Sequence, residues 1–333
     1  MKTLITRHIL VFFLLLGILQ SCKDDDDSVT PTPTIPEVIT ISEIGLYPEG
    51  IDFNTINNQF VVGSITKSEV GYIETETGAY TTFITDENLA SVTGVFTDEI
   101  RNHLLVASGD LGFSTNSTAN GTVAYLGIYN LETGERIRAI DLTEVLPSDT
   151  AVFANDIAID PDGNIYVTDS FAPVIYKVDG NSFETSIFVD GGIDFTPAPM
   201  GFGLNGIVYI DGNLVVCKTD DGALFRIPIA DPSAYEKIDA PIFIGGDGLE
   251  LTADGDIILV ENSLGQNPGT QLLSSDDGWV SATLDSSFAI DAEKFPTTAA
   301  LASNGEVYVL NAYLGKVLNG DLTQETFSIL QIK

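Results

Sequence analysis

Residues 154–168 read Ala-Asn-Asp-Ile-Ala-Ile-Asp-Pro-Asp-Gly-Asn-Ile-Tyr-Val-Thr: an apolar run opening on Asn155, a turn carrying Asp162-Gly163, and a second apolar run from Asn164 to Thr168. Short runs of this composition argue strands, and an Asp-Gly between them supplies the positive-φ backbone of a tight hairpin. The unit recurs along the chain, at 48–53 with 59–63, 92–96 with 103–107, 204–209 with 213–217, 246–251 with 256–260, and 296–301 with 306–310. Asp211-Gly212, Asp254-Gly255 and Asn304-Gly305 mark further hairpins.

Aligned on the residue that opens the first strand, the copies begin at Glu49, Thr93, Asn155, Asn205, Asp247 and Thr297, spaced 44, 62, 50, 42 and 50 residues apart. A repeat of that length, holding four short strands, is a propeller blade, and six blades account for residues 37–333. The expected class is therefore all-β, a six-bladed β-propeller. Strand-like stretches at 37–42 and 326–331 are expected to pair in one composite blade and so remove the free sheet edges. The longest interval holds the polar stretch 114–122 (STNSTANGT), which reads as a surface loop. Helical segments that a TIM barrel needs are missing from the pattern, and a β-sandwich does not call for six similar copies.

Outward from the repeats, the N-terminus carries Lys2 and Arg7 ahead of an apolar run from Ile9 to Leu19, then Leu19-Gln20-Ser21-Cys22. This pattern is a signal peptide over residues 1–21 with a lipoprotein-type cleavage site, which makes Cys22 the lipidated residue. The run falls short of the roughly 20 residues a spanning helix needs. Lys23-Asp24-Asp25-Asp26-Asp27 resembles the acidic export tag of surface lipoproteins in one group of Gram-negative bacteria, and the Pro/Thr stretch that follows reads as an extended spacer, completing a 22–36 linker. The expected location is the outer membrane, exposed at the cell surface, with membrane contact only through the lipid on Cys22.

The formal charge of −34 repels nucleic acid and anionic membrane, so neither is an expected partner. With 44% hydrophobic and 19% charged residues the composition is globular. Once Cys22 is acylated, Cys217 stands alone in an apolar run and reads as a buried small hydrophobe. His103 is the only histidine beyond the signal, so zinc and Cys/His chemistry are excluded. Two N-glycosylation sequons at Asn116 and Asn120 carry no argument in a bacterial host; Trp279 reads as a packing residue, and the glycines around Asp247 precede no helix, which rules out a phosphate loop.

In a propeller the residue opening each inner strand faces the central channel. Here all six carry side-chain oxygen, two are acidic, and none is basic. Such a donor set suits a hard cation, and calcium is the expected cofactor; polar residues lining a water-filled channel are the alternative.

Pro48-Glu49-Gly50, Asn155-Asp156-Ile157, Leu204-Asn205-Gly206 and Gly246-Asp247-Gly248 resemble the metal-binding loops of the superfamily comprising SMP-30/gluconolactonase, diisopropyl fluorophosphatase and paraoxonase. The resemblance spans residues 37–333 and implies channel calcium held by Glu49, Asn155, Asn205 and Asp247, with Asp247 also the catalytic base or nucleophile of a lactone or ester hydrolase. The paraoxonase branch further implies Asp156 as a ligand of a second, structural calcium. Departures are equally plain: Thr93 and Thr297 stand where branches carry substrate-contacting or catalytic residues. These two threonines, with Asp110, Asp169 and Glu261 at the ends of second strands, are the expected substrate-lining residues. The competing reading is a non-catalytic surface propeller with structural calcium that binds a glycan, a peptide or a partner lipoprotein.

Overall fold

The computed structural model describes residues 34–332, and these fold as six four-stranded antiparallel blades around a channel. The predicted signal peptide, Cys22, the acidic tag and most of the spacer lie outside the described residues. Ile35, within the stretch read as spacer, is buried against the sixth blade, and its carbonyl accepts a hydrogen bond from the Tyr308 hydroxyl.

Each blade begins with its inner strand: Pro48–Asn54, Ser91–Asp98, Val152–Ile159, Leu204–Ile210, Gly246–Leu251 and Pro296–Leu301. Each inner strand packs on the next, and the last returns to the first. The ring is closed as the sequence suggested. Val38–Ser42 pairs antiparallel with Thr326–Gln331, Val38 opposite Leu330 and Ser42 opposite Thr326, so the outermost strand of the sixth blade comes from the other end of the chain.

The hairpins follow from their turn residues. Asp211 and Gly212 both adopt positive φ, 46° and 79°, in a two-residue loop between the paired Ile210 and Asn213, a conformation that Asp-Gly tolerates and β-branched residues do not. Between blades, alternate side chains of facing strands interdigitate; Trp279 is buried in the layer between the fourth and fifth, in its expected packing role. Cys217 is buried in the same layer, its thiol donating to the Asp247 carbonyl at 2.8 Å.

The polar stretch 114–122 is an irregular surface loop, as expected, up to the strand that begins at Thr122. It is folded down by Asp110, whose carboxylate accepts from Gly112 N, Thr118 N, Ala119 N and the Ser117 hydroxyl. Thr122 and Val123 then pair in parallel with Val152 and Phe153, joining the second and third blades edge to edge. Among the described residues no helix is long and apolar enough to cross a membrane.

Candidate functional site

The inner strands share a feature that the repeat pattern did not reveal. Each has a one-residue bulge at its opening position, where two residues face one on the neighbouring strand: Glu49 with Gly50, Thr93 with Gly94, Asn155 with Asp156, Asn205 with Gly206, Asp247 with Gly248, and Thr297 with Thr298. A bulge breaks the in-out alternation and re-aims a side chain. Four of the second positions are glycine because the next blade is too close for a Cβ. At Gly206 one would lie 2.3 Å from the Asp247 carbonyl oxygen, and at Gly50 2.6 Å from that of Thr93.

Five of the six opening residues, Glu49, Thr93, Asn155, Asn205 and Asp247, converge on one cavity of about 50 Å3. Its floor is polar. Its walls are Phe153, Phe202, Leu264 and Phe295, with Leu314, Val317 and Leu318 of the short helix Leu314–Leu318 at the mouth.

Hydrogen bonds fix how the floor presents its oxygens. The Asn155 amide nitrogen donates to the Ser170 hydroxyl at 2.8 Å, which donates onward to the Leu204 carbonyl at 2.7 Å. The Asn205 amide nitrogen repeats the device one blade on, through the Thr219 hydroxyl at 3.0 Å to the Gly246 carbonyl at 2.8 Å. The Asn155 NH2 is held back against the blades, which leaves its amide oxygen for the channel, while the Asn205 NH2 is shared between Thr219 and the Asp247 carboxylate. Asn262 donates to Asp247 Oδ2 at 2.7 Å. The Glu49 carboxylate, in a residue only 8% exposed, accepts no hydrogen bond among the described residues.

The electrostatics follow. Burial, and then the Asp247 and Asp156 carboxylates, hold the Glu49 pKa well above the usual carboxylate range. Burial pushes Asp247 up to about 7 against the hydrogen bonds from the Asn262 and Asn205 side chains. Among the described residues no Lys, Arg or His lines the cavity to offset them. Two carboxylates and two side-chain amides, with space for water, form a donor set that fits a hard divalent cation. Among the described residues no three His, Cys, Asp or Glu side chains converge on a point, so half of any such donor set is uncharged amide.

Other expected site residues fall elsewhere. Thr297 is fully buried outside the cavity, its hydroxyl donating to the Glu49 carbonyl at 2.9 Å and tying the sixth blade to the first. Thr93 lines the cavity, but its hydroxyl proton goes to the Ala154 carbonyl at 2.9 Å. Asp110 and Asp169 do not reach the cavity: each turns inward to collect backbone N–H groups, Asp169 from Phe153, Phe171 and Ala172, and so organises its loop. Glu261 opens on a separate groove.

Asp156 points to the opposite side of its bulge, where its carboxylate accepts from Ile157 N and Ile207 N at 2.8 and 3.1 Å. It lies in a wider basin of about 410 Å3 at the other end of the channel, with Asp52 and Glu250. Burial raises Asp156 to about 7 and Asp52 to about 6, and holds Glu250 well above the usual carboxylate range. Asp52 and Glu250 each stand three residues after an acidic opening residue; that spacing was the available signal, and it was missed because the bulge that sets it was not foreseen.

Comparison with known proteins agrees with the architecture. Residues 147–168 match a family model described as a beta-propeller repeat. No curated protein matches the chain. Among solved structures, the major allergen Mala s 1 of Malassezia sympodialis superposes with a TM-score of 0.71 at 15% identity, covering 90% of this chain and 97% of the allergen. A calcium-binding regucalcin from Agrobacterium tumefaciens superposes at 0.58 with 15% identity, covering 88% and 94% of the two chains. A gluconolactonase from Xanthomonas campestris gives 0.58 at 12% identity, covering 89% of each. At these identities the shared property is the fold, that of the gluconolactonase and regucalcin-like propellers.

Proposed function

We propose that the protein is a calcium-dependent hydrolase of an uncharged lactone or ester, working in the channel cavity. The observation that carries the reading is the pairing of Glu49 and Asp247, two buried carboxylates in one small cavity without a basic residue among the described residues, beside the side-chain amides of Asn155 and Asn205. An uncompensated pair of this kind is costly, and a divalent cation relieves it. The solved regucalcin described as calcium-binding has the same fold, which adds support at the level of architecture.

Glu49, Asn155, Asn205 and Asp247 would hold the ion. When bound, calcium supplies positive charge to stabilise oxyanion character on a substrate carbonyl. Asp247 takes a proton from the attacking water as the new C–O bond forms, then returns it to the leaving oxygen as the ester C–O bond breaks. Asn262, at 2.7 Å from Oδ2, holds that carboxylate in one orientation and is a positioning residue. Phe153, Phe202, Leu264 and Leu318 exclude bulk water and favour an apolar acyl portion.

One observation favours a second reading, a binding propeller with structural calcium: the hydroxyl proton of Thr93 is committed to backbone, leaving Asp247 as the only side chain with acid-base capacity beside Glu49. Hydrolysis of a panel of lactones and aryl esters, with calcium, with chelator and with Asp247→Asn, while metal content is measured, separates the two. Calcium-dependent turnover that Asp247→Asn abolishes supports the hydrolase; a protein that binds calcium and turns over none of the panel supports the binding module.

The same proposal places the protein at the outer membrane through a lipid on Cys22. Residues 35–37 meet Tyr308 and Gln331 at the end of the sixth blade that carries the Asn304-Gly305 turn, away from the bulges.

A further inference from the structure

At the end of the fifth blade that carries the bulge, but outside the channel cavity, a groove of about 490 Å3 opens between strand Thr283–Ala289 and the segment 241–243 that leads in from the fourth blade. This is within the range of small-molecule sites. Glu261 lies in it, only 3% exposed, at the end of strand Ile257–Glu261. Gly265 permits this position, since a Cβ there would stand 2.8 Å from Glu261 Oε1.

The Glu261 carboxylate is poorly supplied. Asn267 N reaches Oε1 at 3.2 Å and the Gln271 amide reaches Oε2 at 3.4 Å, both long, whereas an ionised carboxylate accepts about four hydrogen bonds. Gln271 is itself held by Ser287, whose hydroxyl donates to Oε1. Among the described residues no Lys, Arg or His lines the groove. The contrast with Asp110 and Asp169 is direct, because each of those carboxylates takes at least three backbone N–H groups. The walls near Glu261 are apolar, with Ile242 and Leu284 exposed at 55% and 38% beside Phe288.

We propose that this groove binds a primary ammonium carried on an apolar stem. The ammonium has three donors for the unfilled lone pairs of Glu261 and supplies the missing positive charge, and its methylenes lie along Ile242, Leu284 and Phe288. The chemistry is the same for a free alkylamine and for a lysine side chain.

The test titrates the full-length protein at pH 7.5 with pentylamine, pentanol and pentanoate, and separately with Nα-acetyl-lysine amide, following amide chemical shifts or heat. Pentylamine is expected to bind and the alcohol and carboxylate not to; a lysine derivative that binds more tightly than pentylamine assigns the natural ligand to a protein or peptide. Glu261→Gln keeps the acceptor for Asn267 N and is expected to weaken amine binding at least tenfold. Ser287→Phe, on the exposed outer strand, plugs the groove and is expected to abolish it should Glu261→Gln fail to fold. Asp247→Asn, in the channel, is expected to change nothing here. Pentanol binding as well as pentylamine, or amine binding that survives both groove substitutions, overturns the proposal.

Discussion

Stripping the cation and raising the pH should destabilise this fold, and Asp247→Asn should remove part of that loss. In the unfolded chain the Asp247 carboxyl titrates near its ordinary value of 3.8; in the folded protein burial holds it near 7. Between those values the unfolded state has released its proton and the folded state has not, so stability falls as pH rises from about 4 to about 7 and is level above. A shift of about 3 units at 1.36 kcal/mol each gives up to about 4 kcal/mol for this residue. Glu49 acts in the same direction, as do Asp52, Asp156 and Glu250 in the far basin, so the diagnostic quantity is the difference between wild type and variant. The assay is urea unfolding in chelator at pH 5 and pH 8, followed by Trp279, the single tryptophan, which is 5% exposed in the core between two blades. Asp247→Asn is expected to lose less stability than wild type between the two pH values, and to be the more stable protein at pH 8. Saturating calcium is expected to restore the wild type at pH 8 and not the variant. Identical pH slopes for the two proteins in chelator would refute the reasoning.

Further outcomes follow from single contacts. Gly206→Ala sets a Cβ 2.3 Å from the Asp247 carbonyl oxygen and 2.5 Å from Leu249 N, both backbone atoms, so denaturant titration should show a loss of about 1–3 kcal/mol together with weaker cation binding, because Asn205 and Asp247 are pushed apart. Asn262→Ala leaves Asp247 Oδ2 without its 2.7 Å donor; the pH at which calcium binding is half-maximal should move up, since the carboxylate loses the hydrogen bond that lowers its pKa. Cys22→Ser should abolish incorporation of labelled palmitate and release the protein from membranes, and labelling that persists in the variant contradicts the anchor.

What was legible in the sequence follows from how local each feature is. The six-fold repeat and the closing strand pair rest on apolar periodicity and turn residues, which each segment carries itself. The opening residues were found because the repeat aligns them, and four are marked by the glycine that follows. Asp110, Asp169 and Thr297 were misread because their partners are backbone groups, in the loop that follows for Asp110 and on a neighbouring strand for Thr297: a carboxylate that folds a loop and one that faces a substrate are the same letter. Ile35 was assigned to the spacer because its packing partners, Tyr308 and Ala302, lie at the far end of the chain. Of the basin carboxylates Asp156 was singled out beside its opening residue, whereas Asp52 and Glu250 went unseen because reaching them requires counting past a bulge.

The most direct test of the cation site is a calorimetric titration of calcium into chelator-stripped protein at pH 7.5, for wild type, Glu49→Gln, Asp247→Asn and Asp156→Asn. One saturable site that is lost in the Glu49 and Asp247 variants and kept in the Asp156 variant is the predicted result. Absence of calcium binding by the wild type, or binding undiminished in both of the first two variants, contradicts the account.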